Sequence, residues 1–79
     1  MTTQTDLDLR NVIDKNAAQL SALLANTYGE SGESFRNMSD EAQDAYMWAC
    51  ADMSNAILTS LDELSTRSLA RKGVEVQHG

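Results

Sequence analysis

The side chains best able to do chemistry in this 79-residue chain are its carboxylates, one cysteine and one histidine. Asp40 and Asp44 lie four residues apart, which places both carboxylates on one face of a helix. Carboxylates exposed to water keep ordinary acidity and are poor acid–base catalysts. Cys50 would need a nearby base or cation to become a nucleophile, and the single histidine, His78, is next to the C-terminus. We therefore expect no catalytic residues and a protein that is not an enzyme.

Metal and cofactor binding is not indicated either. One cysteine and one histidine cannot form a Cys/His zinc site, and the chain has no Glu-x-x-His pair of the di-iron bundle type. The glycine-containing stretch GESGE, residues 29–33, is not followed by the Lys-Ser/Thr of a phosphate-binding loop. The sequence predicts neither a metal nor a cofactor.

The composition restricts the partners. The formal net charge is -6 and the isoelectric point about 4.4, which makes nucleic acid an unlikely partner and anionic membrane surfaces unfavourable. There is no apolar run of membrane-spanning length, and MTTQTDLDLR is not a signal peptide. Together with a lone cysteine, these features predict a cytoplasmic protein without membrane contact.

The elements that must position these side chains are two helices. From residue 6 to residue 28 the apolar residues recur at helical spacing. Thr5 or Asp6 is suited to cap the start, and Gly29 to end the helix in a left-handed conformation. Phe35, in the connection, is expected to fold back onto the end of the core. The apolar stripe of this first helix is Leu9, Val12, Ile13, Leu20, Leu23, Leu24 and Tyr28.

The second helix is predicted over residues 39–72. Ser39 is a good N-cap, acidic residues occupy the first turn, and Gly73 is expected to stop the helix. Because it is about ten residues longer than the first helix, its last turns either break near residues 66–68 or rest on another subunit. Its apolar stripe is Ala42, Tyr46, Ala49, Cys50, Met53, Ile57, Leu61 and Leu64.

These elements predict an all-α fold: an antiparallel two-helix hairpin, about 6–28 and 39–72, in one domain spanning 1–79 with flexible ends at about 1–5 and 73–79. A hydrophobic core this small rarely contributes more than roughly 3–5 kcal/mol to the free energy of unfolding. With no disulfide or metal available, we expect a homodimer in which two hairpins form a four-helix bundle. The residues assigned to the core and the dimer contact are Leu20, Leu24, Tyr46, Met53, Ile57, Leu61 and Leu64.

The stretch DAYMWACADM, residues 44–53, carries more apolar residues than one helix face can hold. At about 100° per residue, Met47, Ala51, Leu58 and Leu69 form a second apolar line, while Trp48 lies on the other flank among acidic residues. Three interpretations are open. This surface is covered by the dimer mate, or it docks another protein, or Trp48 and Tyr46 line a small-ligand pocket.

Charge is also uneven along the hairpin. Residues 29–52 hold six carboxylates and one arginine, a net charge of -5, whereas the end formed by both termini is about -1. Such an acidic end is suited to a basic protein surface, as in an inhibitor that competes with nucleic acid. The leading prediction is a small, acidic, non-enzymatic regulator or inhibitor of bacterial or phage type. Its predicted partner-binding residues are Met47, Trp48, Ala51, Leu58, Asp44 and Asp52.

The alternative follows from a resemblance. DEAQDA, residues 40–45, opens the second helix with acidic and amide residues, and in outline the chain resembles the ROP-type helical hairpin, which dimerises into a four-helix bundle. This resemblance implies an RNA-binding dimer. Arg10, Lys15, Arg67 and Arg71 would then supply a local basic stripe.

Overall fold

A computed structural model describes residues 3–78 of the chain, with side chains for residues 3–72. Over this range it contains no strand, and the helices are α1 (Asp6–Ala25), a 3-10 turn (Glu30–Gly32), α2 (Glu33–Arg36) and α3 (Asp40–His78). α1 packs along α3. The predicted all-α hairpin is therefore confirmed.

The start of α1 is held by a reciprocal cap. The Asp8 backbone N–H donates to Thr5 Oγ1 at 3.0 Å, and the Thr5 N–H donates to the Asp8 carboxylate at 3.0 Å. Two of the N–H groups that the first turn leaves without helical partners are satisfied in this way. Of the two predicted caps, Thr5 is the one used.

α1 ends at Ala25, so its predicted end at Tyr28 is wrong by three residues. The cause is a pair of polar side chains that follow the helix. Asn26 and Thr27 donate to helix carbonyls four and three residues back, at 3.0 and 2.7 Å. These side-chain hydrogen bonds satisfy carbonyl oxygens of the last turn. They compete with the backbone hydrogen bonds that would continue the helix.

The predicted role of Gly29 is also wrong. Gly29 has a positive φ of 65°, but it precedes the 3-10 turn and does not terminate α1. Arg36 closes the connection by donating from Nη2 to the Gly29 carbonyl at 3.0 Å. At Gly32 a Cβ atom would lie 2.7 Å from the Thr27 carbonyl carbon, so the chain needs glycine there for close approach.

α3 begins where the sequence predicts. The Ala42 N–H donates to Ser39 Oγ at 3.1 Å, which confirms the Ser39 cap. The Gln43 side-chain amide lies 3.1–3.3 Å from three carbonyl oxygens of segment 35–38 and joins the connection to α3.

The far end of α3 differs from the prediction. The helix is continuous past residues 66–68 and runs through Gly73 to His78. A glycine inside a helix costs only about 1 kcal/mol relative to alanine, and no proline follows to prevent continuation. At the N-terminal end, residues 4 and 5 take part in hydrogen bonds. Residues 1, 2 and 79 of the ends predicted to be flexible lie outside the described residues.

The seam between α1 and α3 is thin. Among residues 3–72, the buried side chains are those of Leu9, Cys50 and Ser60. Ser60 occupies a seam position that an apolar pattern does not predict, because serine is not apolar. Conversely, four members of the predicted stripes are exposed or at the edge of exposure: Leu24, Tyr28, Ala42 and Leu61.

Polar contacts secure the terminal end of the seam. Arg67 Nη1 donates to Asp6 Oδ1 at 2.9 Å, and Arg71 Nη1 donates to Asp6 Oδ2 at 3.2 Å. Arg67 also donates to Glu63 at 3.0 Å and to the Gln4 carbonyl at 2.8 Å. This arrangement, the terminal clamp, ties the start of α1 to the later part of α3, so the two helices are antiparallel.

Aromatic rings secure the loop end. The Phe35 ring packs edge-on against Tyr46, with centroids 5.0 Å apart. The Tyr46 hydroxyl donates to the Leu23 carbonyl near the end of α1. Phe35 therefore folds back onto the end of the hairpin, as predicted.

Candidate protein-binding surface

α3 presents large apolar side chains that its own hairpin leaves in water. Trp48 is 72% exposed, Leu69 65%, Leu58 60% and Met47 43%. Exposed apolar side chains clustered on one element indicate an association surface, because isolated ones are common but contiguous ones are not. Whether these residues are contiguous depends on the sides of α3 from which they project.

Helix geometry divides them between two adjoining faces of α3. With Met53 as the reference at about 100° per residue, Ile57 lies at about 40° and Met47 and Leu58 at about 120–140°. Trp48 lies at about -140°, which is about 100° from Met47, 80° from Leu58 and 60° from Ala51 and Leu69, so it occupies an adjoining face. We call the line of Met47, Ala51, Leu58 and Leu69 the apolar line.

A shallow groove of about 510 Å³ runs along α1. It lies on the side of the hairpin where the apolar line projects from α3. On α3 it is lined by Ile57, which lies on the same side of Met53 as the apolar line. On α1 and just beyond it, the lining residues are Ala17, Leu20, Ser21, Leu24, Ala25 and Tyr28. In an antiparallel hairpin these residues and the apolar line share one broad side, which we call the groove face.

The middle of the groove face carries no charge. Residues 16–29 contain no Asp, Glu, Lys or Arg, and neither do residues 53–61. Leu61, which is 48% exposed, lies at about 80° between Ile57 and the apolar line. An apolar centre with few charges is the composition of an interface core, and the nearest carboxylate on α3 is Asp62, one turn beyond Leu58. Sequence reasoning missed the contribution of α1, although its charge-free run of fourteen residues was a visible signal.

The adjoining face of α3 carries Trp48 among carboxylates. Asp44 and Asp52 are each four residues from Trp48, so the three side chains are neighbours on the helix surface. All three are exposed. We call them the acidic tryptophan patch. The six residues predicted to bind a partner thus fall into two groups: the patch, and Met47, Ala51 and Leu58 on the groove face.

The residues assigned to the core and dimer contact also fall into two groups. Tyr46, Met53, Ile57 and Leu64 are half-buried along α3, as is Leu20 on α1. The other two, Leu24 and Leu61, remain exposed, and Leu24 lines the groove. The hairpin covers the first group by itself and leaves the second group uncovered.

The pocket predicted around Trp48 and Tyr46 has no geometric support. The two side chains project from α3 about 160° apart, and the Tyr46 hydroxyl is bonded to the Leu23 carbonyl. The predicted basic stripe is also reduced, because Arg67 and Arg71 are paired with carboxylates of the same chain. Arg10 and Lys15 are exposed.

The terminal clamp perturbs two ionisable groups. Hydrogen bonds from Arg67 and Arg71 hold the pKa of the Asp6 carboxyl below its ordinary value, because they favour the ionised form. Hydrogen bonds to Asp6 and Glu63 raise the pKa of the Arg67 guanidinium for the same reason. Both groups act in holding α1 to α3.

The geometry of the described residues also bears on metal binding, thiol chemistry and membrane insertion. Within residues 3–72, no three His, Cys, Asp or Glu side chains are grouped closely enough to hold a metal ion. The Cys50 thiol is buried in the seam at 4% exposure, where a small apolar side chain fits. None of the helices in the described part of the chain is both long enough and apolar enough to span a bilayer.

No family model, curated protein or solved structure matches the chain.

Proposed function

We propose that this protein is a non-enzymatic protein-interaction module, a small acidic regulator or inhibitor that acts as a homodimer of helical hairpins. The observation that carries the proposal is that α3 holds exposed apolar side chains on two adjoining faces, neither of which α1 covers. A hairpin with exposed apolar residues on two sides has surfaces for two different contacts.

The groove face and the acidic tryptophan patch have different roles in the proposed function. The groove face, whose middle is uncharged, is assigned to a second copy of the chain, which completes a four-helix bundle. The acidic tryptophan patch is assigned to a partner protein with a basic surface. Tryptophan is enriched among residues that dominate binding energy, and flanking carboxylates accelerate and orient encounter with a basic surface. Two patches per dimer would also allow bivalent binding.

The size of the acidic charge supports a basic partner. The loop end, residues 29–52, has a net charge of -5, and the acidic tryptophan patch lies within it. Attraction between this end and a basic surface would weaken as salt is added, because exposed charges are screened over about 8–10 Å at physiological ionic strength. A cytoplasmic location is part of the same proposal.

Trp48→Ala tests the patch. Because Trp48 is 72% exposed, we expect the circular dichroism to be unchanged and the free energy of unfolding to move by less than about 0.5 kcal/mol. Capture of the partner from a lysate of the native host, measured by quantitative mass spectrometry, should fall at least tenfold, or by roughly 1.4 kcal/mol or more in binding energy.

The matched control is Leu69→Ala, which shortens an apolar side chain of similar exposure on the groove face. It should retain the captured partner. Asp52→Asn in the patch should weaken capture and reduce its dependence on salt. If Trp48→Ala lost helicity, the residue would be part of the fold. Undiminished capture by a folded Trp48→Ala protein would remove the patch from the proposal.

A further inference from the structure

We infer that the groove face takes a second copy of this chain in an antiparallel orientation, with the two-fold axis passing near Leu58. The loop end of each hairpin then lies beside the terminal end of its mate, and the two α3 helices cross each other at their middles. This inference rests on the dimerisation in the proposed function and adds to it the surface, the orientation and the register.

The exposed surface of the chain is large enough for a dimer contact. The chain exposes 6099 Å² of surface, against about 4,700 Å² for a compact monomer of 8.6 kDa. Its radius of gyration is 18.0 Å, against about 12 Å for a compact domain of this length. A standard protein interface removes about 800 Å² from each partner. One copy of the chain seated on the groove face supplies a contact of that scale.

Charge selects the orientation. The loop end carries a net charge of -5 and the terminal end about -1. If two hairpins packed with their loops at the same end, that end would hold about -10. In the antiparallel arrangement each end holds about -6, and the acidic loop of one copy lies beside Arg10, Arg71 and Lys72 of the other. Like charges at an interface disfavour the first arrangement, and opposite charges favour the second.

The spacing of the apolar line selects the register. Met47 and Leu69 each lie eleven residues from Leu58, and eleven residues are close to three full helical turns. When two antiparallel α3 helices are related by an axis at Leu58, Leu58 meets its own copy and Met47 meets Leu69 of the mate. On the same line, Ala51 faces Ser65, and two small side chains allow the backbones to approach closely.

The length of α3 agrees with this register. Asp6, the first residue of α1, meets Arg67 and Arg71, so α1 begins about level with this part of α3. The later turns of α3, including the exposed Leu69, lie at or beyond the end of the helix that covers the seam. In the antiparallel dimer the loop end of the mate lies beside these turns, and Met47 covers Leu69.

The orientation is testable by distance measurement between spin labels. A label at Ser34→Cys, in a Cys50→Ala background, marks the loop end of each copy. Ser34 is exposed, and the substitution lies outside both proposed surfaces. The antiparallel dimer predicts an interlabel distance of roughly 45–50 Å, whereas loops at the same end predict less than about 30 Å. Sedimentation of the wild-type chain is measured in parallel.

The outcomes separate the two proposals. A dimeric mass with the long distance supports the inference. A dimeric mass with the short distance overturns the orientation and leaves dimerisation standing. A monomeric mass at every concentration overturns the dimer itself. Leu58→Glu should abolish the dimer. Thr59→Glu, at an exposed position about 100° around α3 from Leu58 and away from α1 and the groove face, should retain it. A dimer that survives Leu58→Glu places the contact elsewhere.

Cross-linking tests the register. In the Cys50→Ala background, Met47→Cys and Leu69→Cys proteins are mixed and treated with a short bis-maleimide. We expect a covalent dimer in the mixture and none in either protein alone, because each position is about 33 Å from its own copy. Self-cross-linking of Met47→Cys, or no cross-link in the mixture, would overturn the axis at Leu58.

Discussion

At the scale of single residues, α3 uses polar and aromatic atoms where a hydrophobic pattern indicates only apolar packing. Tyr46 combines both roles, since its ring packs against Phe35 and its hydroxyl donates to the Leu23 carbonyl. Ser60 is buried in the seam, where its small volume lets α1 approach α3. An apolar stripe could predict the position of Tyr46 but not its hydrogen bond, and it could not predict Ser60.

Tyr46→Phe isolates the hydroxyl. The ring and its contact with Phe35 are retained, and the donor to the Leu23 carbonyl is lost. We expect a loss of about 1 kcal/mol in the free energy of unfolding, measured by urea denaturation. Ser34→Ala is the control, because it removes an exposed hydroxyl outside both proposed surfaces and its change should lie within about 0.5 kcal/mol. Equal stability of the two variants would show that the Tyr46 hydroxyl contributes nothing.

At the scale of elements, hydrogen bonds from short polar side chains determine where α1 and α3 begin and where α1 ends. Thr5 and Ser39 cap α1 and α3, and both are of residue types that the sequence identifies as caps. The end of α1 is different, because two side chains beyond Ala25 bond back to its carbonyls and shorten it. Gly29 is left free to turn the chain into the connection.

Gly29→Ala tests that connection. The φ of 65° is unfavourable for a residue with a Cβ, although no atom lies within 4 Å of the added methyl group. The strain should lower the free energy of unfolding by about 1–3 kcal/mol while circular dichroism still reports both long helices. Urea denaturation measures the change. An unaltered stability would mean that the connection adopts another backbone conformation without cost.

The terminal clamp predicts an acid-sensitive component of stability. The pKa of Asp6 is lowered on folding, so the folded chain binds that proton less readily than the unfolded chain. The contribution of the clamp is therefore complete above the ordinary aspartate pKa of 3.8 and is lost as the pH falls through the lower folded value. Urea midpoints measured from neutral pH to about pH 2 should show this loss.

Asp6→Asn should remove the loss of stability between neutral pH and about pH 2 that arises from the clamp, since no charge remains at this position to be neutralised. Asp14→Asn removes an exposed carboxylate from the same helix and should leave the acid dependence in place. If both variants lost the same part of the profile, the effect would arise from net charge and not from the clamp.

At the scale of the whole molecule, the hairpin is long, polarised in charge and thin in its core. Its extents are 60 × 29 × 18 Å, and three side chains of residues 3–72 are buried. Little of the apolar surface is removed from water within one chain. A second copy on the groove face would bury more, so the proposed dimer is coupled to the stability of the fold.

That coupling predicts a melting temperature that depends on protein concentration. When folding and association are linked, mass action stabilises the folded dimer as concentration rises. Thermal denaturation followed by circular dichroism at concentrations about a hundredfold apart should give a higher midpoint in the more concentrated sample. Leu58→Glu, in the groove face, should remove the dependence. A midpoint that is the same at all concentrations for the wild-type chain would indicate a self-sufficient monomer.

The sequence by itself determined the helical class, the two caps at Thr5 and Ser39, the exposure of Trp48 and the uneven charge. These follow from periodicity and from local hydrogen bonding, which act over a few residues. The tertiary structure alone decided the burial of Ser60 and the terminal clamp between Asp6 and Arg67. It also decided which residues of the two apolar stripes are covered within the hairpin and which stay exposed. Such features depend on which face of α3 meets α1, and that pairing joins residues about sixty positions apart.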